Sequence, residues 1–426
     1  MRILIAHKYF YRGGGTATYL LALVEELEQL GHHVIPFTVA YEPTIPQAYR
    51  DFYVSPPGDS AQTHLSDLPK SPRMMLKLLG RAVYSTEAHR KALALVDAAK
   101  PDIAYVNNVY NYMSPSILRA FRARGVPIVM RVADFNMICP GMALRHRGEE
   151  CLRCAKGSYW RGVARRCHKG SLTASAARAC AMYAHRWLRL YDAVDEFITP
   201  SAILRDLLIE AGFPAERVRQ IRSFYRPPAT GTKQTAGSEH EDATPYILYF
   251  GRIDREKGLE TLIRAFAQGG AGTRLLIVGS DLDGERARLE GIARQVGAVG
   301  VEFHGHKGRE ELDALIAGCL FTVIPSEIFD NCPMCVLESF AHGKPVVGSR
   351  VGGIPEQITA DVGCLFEPGN AAELAARLRE LIANAPLREQ MGQAARERVV
   401  AAYSPEAHCE ALLGLFGEVL GRSTRR

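Results

Sequence analysis

No apolar stretch of this sequence approaches the ~18 residues that a membrane-crossing helix needs, so no spanning helix is expected. Met1–Ala6 (MRILIA) shows no charged n-region or cleavage site and reads directly as a buried strand. The expectation is therefore a cytoplasmic protein without a signal peptide. In that compartment the ten cysteines read as thiols or metal ligands rather than disulfides. No short-period repeat is visible, which leaves out a repeat array. Acidic residues are scarce in one segment: residues 145–190 carry 11 Lys/Arg and 2 Asp/Glu, a local +9. The other residues sum to 41 − 44 = −3, so this segment supplies the whole net charge of +6. Such a patch suits nucleic acid, anionic lipid or a phosphate-rich ligand. No RNA- or DNA-binding motif accompanies it, and nucleic acid is not an expected partner.

What is present is globular. Apolar residues at 47% and charged residues at 23% exclude wholesale disorder, and 426 residues leave room for two or three domains. Short apolar strands alternate with helical patterns. Arg2–Ala6 leads into Gly13-Gly14-Gly15, and a helix is expected over 18–30 with Tyr19, Leu20, Leu23, Val24 and Leu27 on one face. Strands follow at 33–39, 103–106 and 127–132. Residues 227–245 are rich in Pro, Gly, Thr and Ser, with almost no large apolar residue, and read as a flexible linker. The rhythm then restarts with strands at 246–250, 275–278, 301–303, 321–324 and 345–347. The expected fold class is α/β, with two Rossmann-like doubly wound domains facing across a cleft. The expected boundaries are 1–226 with a Cys-rich basic insertion at 139–170, the linker at 227–245, a second domain at 246–405, and a last helix at 406–426 free to pack back on either domain.

Two constellations carry candidate chemistry. FGRIDREKG follows a strand directly: Gly251 permits a sharp turn, Arg252 offers a planar fork of donors, and Lys257 reaches from five residues on. Together they form a candidate pyrophosphate clamp. In PSEIFDNCPMCVLESFAHGKPVV, a strand ends at Pro325-Ser326, Asp330 sits on a loop, and Pro333 is expected in the first turn of a helix. The free N–H groups around Met334 and Cys335 would attract phosphate oxygens. Asp330 and Glu338 would accept hydrogen bonds from sugar and ribose hydroxyls, with helix capping as the alternative for Asp330. The Gly13–Gly15 loop misses G-x-G-x-x-G, because Thr18 stands where the last Gly belongs.

Taken together, the GGG, FGRIDREKG, PSEIFDNCPMCVLESFAHGKPVV and VGGIPE segments, with SPSIL at 114–118 and DFNMICP at 134–140, resemble the family 4 glycosyltransferases of the GT-B fold over nearly the whole chain. The resemblance implies a retaining enzyme that needs no metal or other cofactor for catalysis. It would take a sugar from a nucleotide diphosphate (uridine- or guanosine-linked) to a glycan or lipid-linked acceptor, in bacterial surface polysaccharide synthesis. By resemblance, Arg252 and Lys257 hold the diphosphate, and Gly14 and Gly15 crowd it from the other domain. Gly251, Cys332, Met334 and Cys335 line the donor site, Asp330 holds sugar hydroxyls and Glu338 the ribose. The chain departs from the family pattern at Asp330, usually Glu, and at Ala133, usually a His before Asp134. A non-catalytic nucleotide-sugar-binding protein and a GT-B sugar epimerase are the other readings.

Three further features stand apart. Asp281-Leu282-Asp283 matches DxD but reads as loop and N-cap. Cys139, Cys151, Cys154 and Cys167 form C-x11-C-x2-C-x12-C with one knuckle; structural zinc, unbound thiols and disulfides all remain open. Arg73, Lys77 and Arg81 recur every four residues beside Met75, Leu76, Leu78 and Leu79. Arg178, His185, Arg186 and Arg189 gather on a second helix, over 173–191, near Tyr183 and Trp187. Basic residues beside an apolar face suit an anionic leaflet, and the expected location is peripheral, on the inner face of the cell membrane.

Overall fold

The computed structural model describes the chain apart from residues 12–14, 43, 46–47, 57–70, 111–112, 147–148, 227–243, 282–283 and 424–426, and apart from the side chains of 72 and 73. Gly13, Gly14, most of the expected linker, Asp283 and the Arg73 side chain therefore lie outside the described residues. The chain divides into two compact units, Met1–Arg222 with Pro405–Arg426, and Ser223–Ser404. Among the described residues no helix is long and apolar enough to cross a membrane.

The first unit is built on β1 (Arg2–His7), β2 (His33–Phe37), β3 (Ile103–Asn107), β4 (Ile128–Arg131), a small hairpin of β5 (Arg145–His146) with β6 (Glu149–Glu150), β7 (Glu196–Thr199) and β8 (Val218–Gln220). Six of these form a parallel sheet in the order β2-β1-β3-β4-β7-β8. Ile3, Leu4, Ile5 and Ala6 are fully buried, as a strand covered by helices on both faces requires. The Gly15–Gln29 helix starts three residues ahead of the expected Thr18, and Gly31 at φ 79° ends it.

The last helix, Pro405–Ser423, belongs to this unit. His408 meets the Tyr19 hydroxyl at 2.9 Å and the Arg222 carbonyl at 2.7 Å. The Phe416 ring stands 6.2 Å from Tyr105, and Arg422 pairs at 2.6 Å with the buried Glu196.

The basic segment folds as the β5–β6 hairpin, a short Trp160–Ala164 helix and the Leu172–Trp187 helix. Two residues expected on a membrane face are turned inward. Arg178 is 7% exposed and donates to both the carbonyl and the side-chain oxygen of Asn136, in the segment leaving β4. His185 is buried and bonds the Ala82 carbonyl at 2.9 Å. Each has a backbone partner that offsets its desolvation, which the spacing of charges along the helix does not reveal. Arg186 and Lys77 are exposed; Arg81 is half-buried and donates to the Ser55 carbonyl.

None of the four cysteines of the insertion is in a disulfide. Gly141 packs against Cys167, the Cys167 N–H bonds Gly162 at 2.9 Å, and Cys154 is buried with Tyr159, Ala179 and Met182. Among the described residues no three His, Cys, Asp or Glu side chains stand as a group able to hold a metal ion.

The second unit carries β9 (Tyr246–Phe250), β10 (Arg274–Val278), β11 (Val301–Gly305), β12 (Thr322–Ile324), β13 (Val346–Ser349) and β14 (Gly363–Phe366) in the parallel order β11-β10-β9-β12-β13-β14. Ile247, Leu262, Leu275, Phe321, Val323 and Leu378 are among its buried core. Strand order reverses between β9 and β12, so their C-terminal ends border the crevice in which doubly wound sheets place ligands.

Candidate active site

Both candidate motifs of the second unit leave the sheet at that reversal: FGRIDREKG follows β9, and PSEIFD follows β12. Glycine brings them together. Gly258 has φ 68°, and a Cβ there would lie 1.9 Å from the Pro325 carbonyl oxygen. Only a residue without a side chain lets the two loops touch. The Glu327 N–H then bonds the Glu256 carbonyl at 2.9 Å, and Thr261 donates to the Glu327 carboxylate at 2.6 Å. Asp254 caps the Arg255–Lys257 turn by accepting from the N–H groups of Glu256 and Lys257.

Lys257 Nζ contacts both carboxylate oxygens of Asp330, at 2.9 and 2.7 Å, and each side chain is 18% exposed. Asp330 therefore does not cap the following helix, whose N-cap is Pro333, so the helix begins just after the proline rather than including it in its first turn. The VGGIPE segment holds the Asp330 backbone: Gly353 N–H bonds its carbonyl at 2.7 Å, and Gly352, at φ 58°, leaves no space for a Cβ against it. Arg252 is mostly exposed and paired to Asp254 at 3.1 Å.

Beyond Asp330 the chain turns into the Met334–Ala341 helix. Met334 and Cys335 occupy its first turn, enclosure pushes the Cys335 thiol up to about 12, and Cys332 takes a contact from the Gln357 amide at 3.4 Å. Glu338, on the next turn, is 14% exposed and lies 3.6 Å from Arg309. Burial raises its carboxyl to about 7, against the opposing pull of Arg309 and with a smaller push from Asp313.

The sequence reading does not pick out the support around Glu338. Arg309 also pairs with Asp313 and donates to the Tyr225 hydroxyl, and His342 meets Asp313 at 2.9 Å. The Arg309–Asp313 spacing of four was the available signal. Asp281 accepts from the N–H groups of Glu285 and Arg286 at 2.9 and 3.1 Å, so it holds the start of the Glu285–Val296 helix from the preceding loop, although the N-cap position itself is Gly284.

In the first unit, Gly15 opens its helix and is exposed. Asp134 lies just past β4, accepts from the Asn136 N–H at 2.9 Å, and attracts the largely desolvated Lys8 ammonium, whose pKa burial lowers. Nothing in the sequence marks Lys8. Lys8, Gly15 and Asp134 belong to the first unit, and the residues around Lys257 to the second.

Two family models match the chain: a glycosyl transferase 4-like domain at residues 14–223, and glycosyl transferases group 1 at 232–398. A GDP-mannose-dependent alpha-mannosyltransferase of Mycobacterium tuberculosis is 24% identical over 431 residues, covering 99% of this chain and 97% of that protein. The sulfoquinovosyl transferase SQD2 of Arabidopsis thaliana is 32% identical over 222 residues, but the match spans only 49% of this chain and 42% of that protein. Among solved structures, sucrose-phosphate synthase from Thermosynechococcus elongatus aligns over 99% of both chains with a TM-score of 0.72 at 20% identity. Anabaena HepE in complex with UDP-glucose aligns over 98% of this chain and 100% of its own, with a TM-score of 0.64 at 17% identity. With both family models in chain order and two parallel-sheet units that superpose on glycosyltransferase structures end to end, the chain belongs to family 4 of the GT-B glycosyltransferases.

Proposed function

We propose that the chain is a retaining glycosyltransferase that moves a sugar from a nucleotide diphosphate to a hydroxyl of a glycan or lipid-linked acceptor, in the assembly of a bacterial surface polysaccharide. The observation that carries this reading is the Lys257–Asp330 pair at the sheet reversal, directly ahead of a helix N-terminus. Lys257 and Arg252 supply cationic donors for a departing diphosphate, and the helix start adds backbone N–H groups of the same sign. Asp330 and Glu338 supply acceptors for hydroxyls on either side of that diphosphate. Electrostatic stabilisation of the leaving group is then the main catalytic contribution asked of these residues. One relative is GDP-mannose-dependent and one structural neighbour holds UDP-glucose, which supports a nucleotide-sugar donor of either base.

The test is incubation with UDP- and GDP-sugars and a lipid extract as acceptor. Release of free nucleotide diphosphate, together with a product whose anomeric configuration matches the donor, is the expected outcome. Tight donor binding without turnover under any pairing would instead make the chain a nucleotide-sugar-binding protein.

A further inference from the structure

The Leu172–Trp187 helix carries apolar residues on both sides. Its buried side holds Ala179, Ala181 and Met182 beside Ser175, Arg178 and His185, whereas its solvent side presents Leu172, Ala176, Cys180, Tyr183 and Trp187. Those positions recur at intervals of three and four, so they form one continuous apolar stripe. Trp187 is 83% exposed and Leu172 51%. From the neighbouring short helix Trp160, 59% exposed, closes the stripe into an open groove of about 510 Å³, and its backbone N–H donates to the Tyr183 hydroxyl at 3.1 Å. The chain has two tryptophans, and both are here. The adjoining Pro72–Val83 helix also exposes Met75 and Leu76.

The surroundings of the stripe are strongly cationic. Residues 151–190 contain 9 Lys/Arg and no Asp or Glu. Lys156, Arg161, Arg166, Lys169 and Arg186 are exposed, and the exposed Arg189 pairs with Asp192 at 2.6 Å. A second copy of the chain seated on this face would set like charges against each other, whereas a surface that is apolar in depth and anionic at its boundary satisfies both features.

We propose that the exposed face of the Leu172–Trp187 helix, with Trp160, docks on an anionic lipid bilayer, the two tryptophans entering the headgroup boundary and the flanking arginines and lysines meeting lipid phosphates. The docking stands on this surface alone and does not depend on the transfer reaction.

Because the chain holds no other tryptophan, intrinsic emission of the full-length protein reports this surface directly. Added phosphatidylcholine–phosphatidylglycerol vesicles should shift the emission to the blue, and acyl-brominated lipids should quench it. High salt and pure phosphatidylcholine should diminish both effects. Trp160→Ser and Trp187→Ser should each lower the vesicle partition coefficient by roughly tenfold. In unaltered protein, anionic vesicles should slow alkylation of Cys180, followed on its own peptide by mass spectrometry. Emission indifferent to anionic vesicles, full vesicle binding by the double Trp→Ser variant, or an emission shift that follows protein concentration without lipid would each overturn the proposal, the last by showing that a second copy covers the face.

Discussion

Glu338 sets a test whose size follows from its surroundings. Its carboxyl stands at about 7 in the folded chain against an ordinary 4.5, because burial outweighs the attraction of Arg309. Below pH 4.5 the folded and unfolded states are both protonated, and the group has no effect on stability. Between 4.5 and about 7 the unfolded chain has released the proton while the folded chain keeps it, so stability falls as pH rises. Above about 7 both states are ionised and the loss is constant. The gap corresponds to about 3 kcal/mol, or roughly 6–12 °C in the melting temperature of a unit of this size. Other groups titrate in the same window, so the measurement is the difference between the wild type and Glu338→Gln, melted by calorimetry at half-unit steps from pH 4 to 8. The variant should gain on the wild type progressively up to about 7 and then run parallel to it. Donor binding should carry the opposite mark: an ionised Glu338 accepts hydroxyl hydrogen bonds, so wild-type donor affinity should rise as pH passes through about 7 and that of the variant should not. Melting curves that keep a constant separation from pH 4 to 8 would refute the assignment of a buried, late-ionising carboxyl.

Lys257→Ala should lower kcat/KM about ten- to a hundred-fold, the worth of one charge-assisted contact, while Asp330→Asn and the double variant show non-additive losses in a steady-state cycle. Gly258→Ala forces a Cβ onto the Pro325 carbonyl at a positive φ, and should cost at least about 1–3 kcal/mol and weaken donor binding, read by denaturant melts and calorimetric titration. Arg178→Met removes the partner of Asn136 and should destabilise the first unit by about 1.5–3 kcal/mol, with vesicle binding unchanged in sedimentation.

Much of the second unit is legible in the sequence because its strands are short apolar blocks bounded by glycine. Tyr246–Phe250 is read to the residue, and the motifs following β9 and β12 carry their chemistry in adjacent letters. Less visible is whatever depends on contacts between distant segments. Gly258 and Gly352 look like punctuation until the carbonyls of Pro325 and Asp330 appear beside them. β7 escapes the reading because Glu196 opens it, and a fully buried carboxylate is tolerable only where Arg422 and Arg219 reach it from elsewhere. Charge misleads in the same way at Arg178. Its spacing on the helix matches a cationic face, yet its partner Asn136 lies 42 positions away.

The return of the Pro405–Ser423 helix to the first unit has a consequence for how the chain is made. The second unit is continuous in sequence, from Ser223 to Ser404, and all of it is synthesised before that helix. The first unit has to wait. Until Pro405–Ser423 emerges, Tyr19 lacks His408, Tyr105 lacks Phe416, and Glu196 sits in its strand without the guanidinium of Arg422. The earlier-synthesised half is thus the later one to mature. A released chain truncated after residue 404 should present a finished second unit beside a first unit still open to proteases and chaperones.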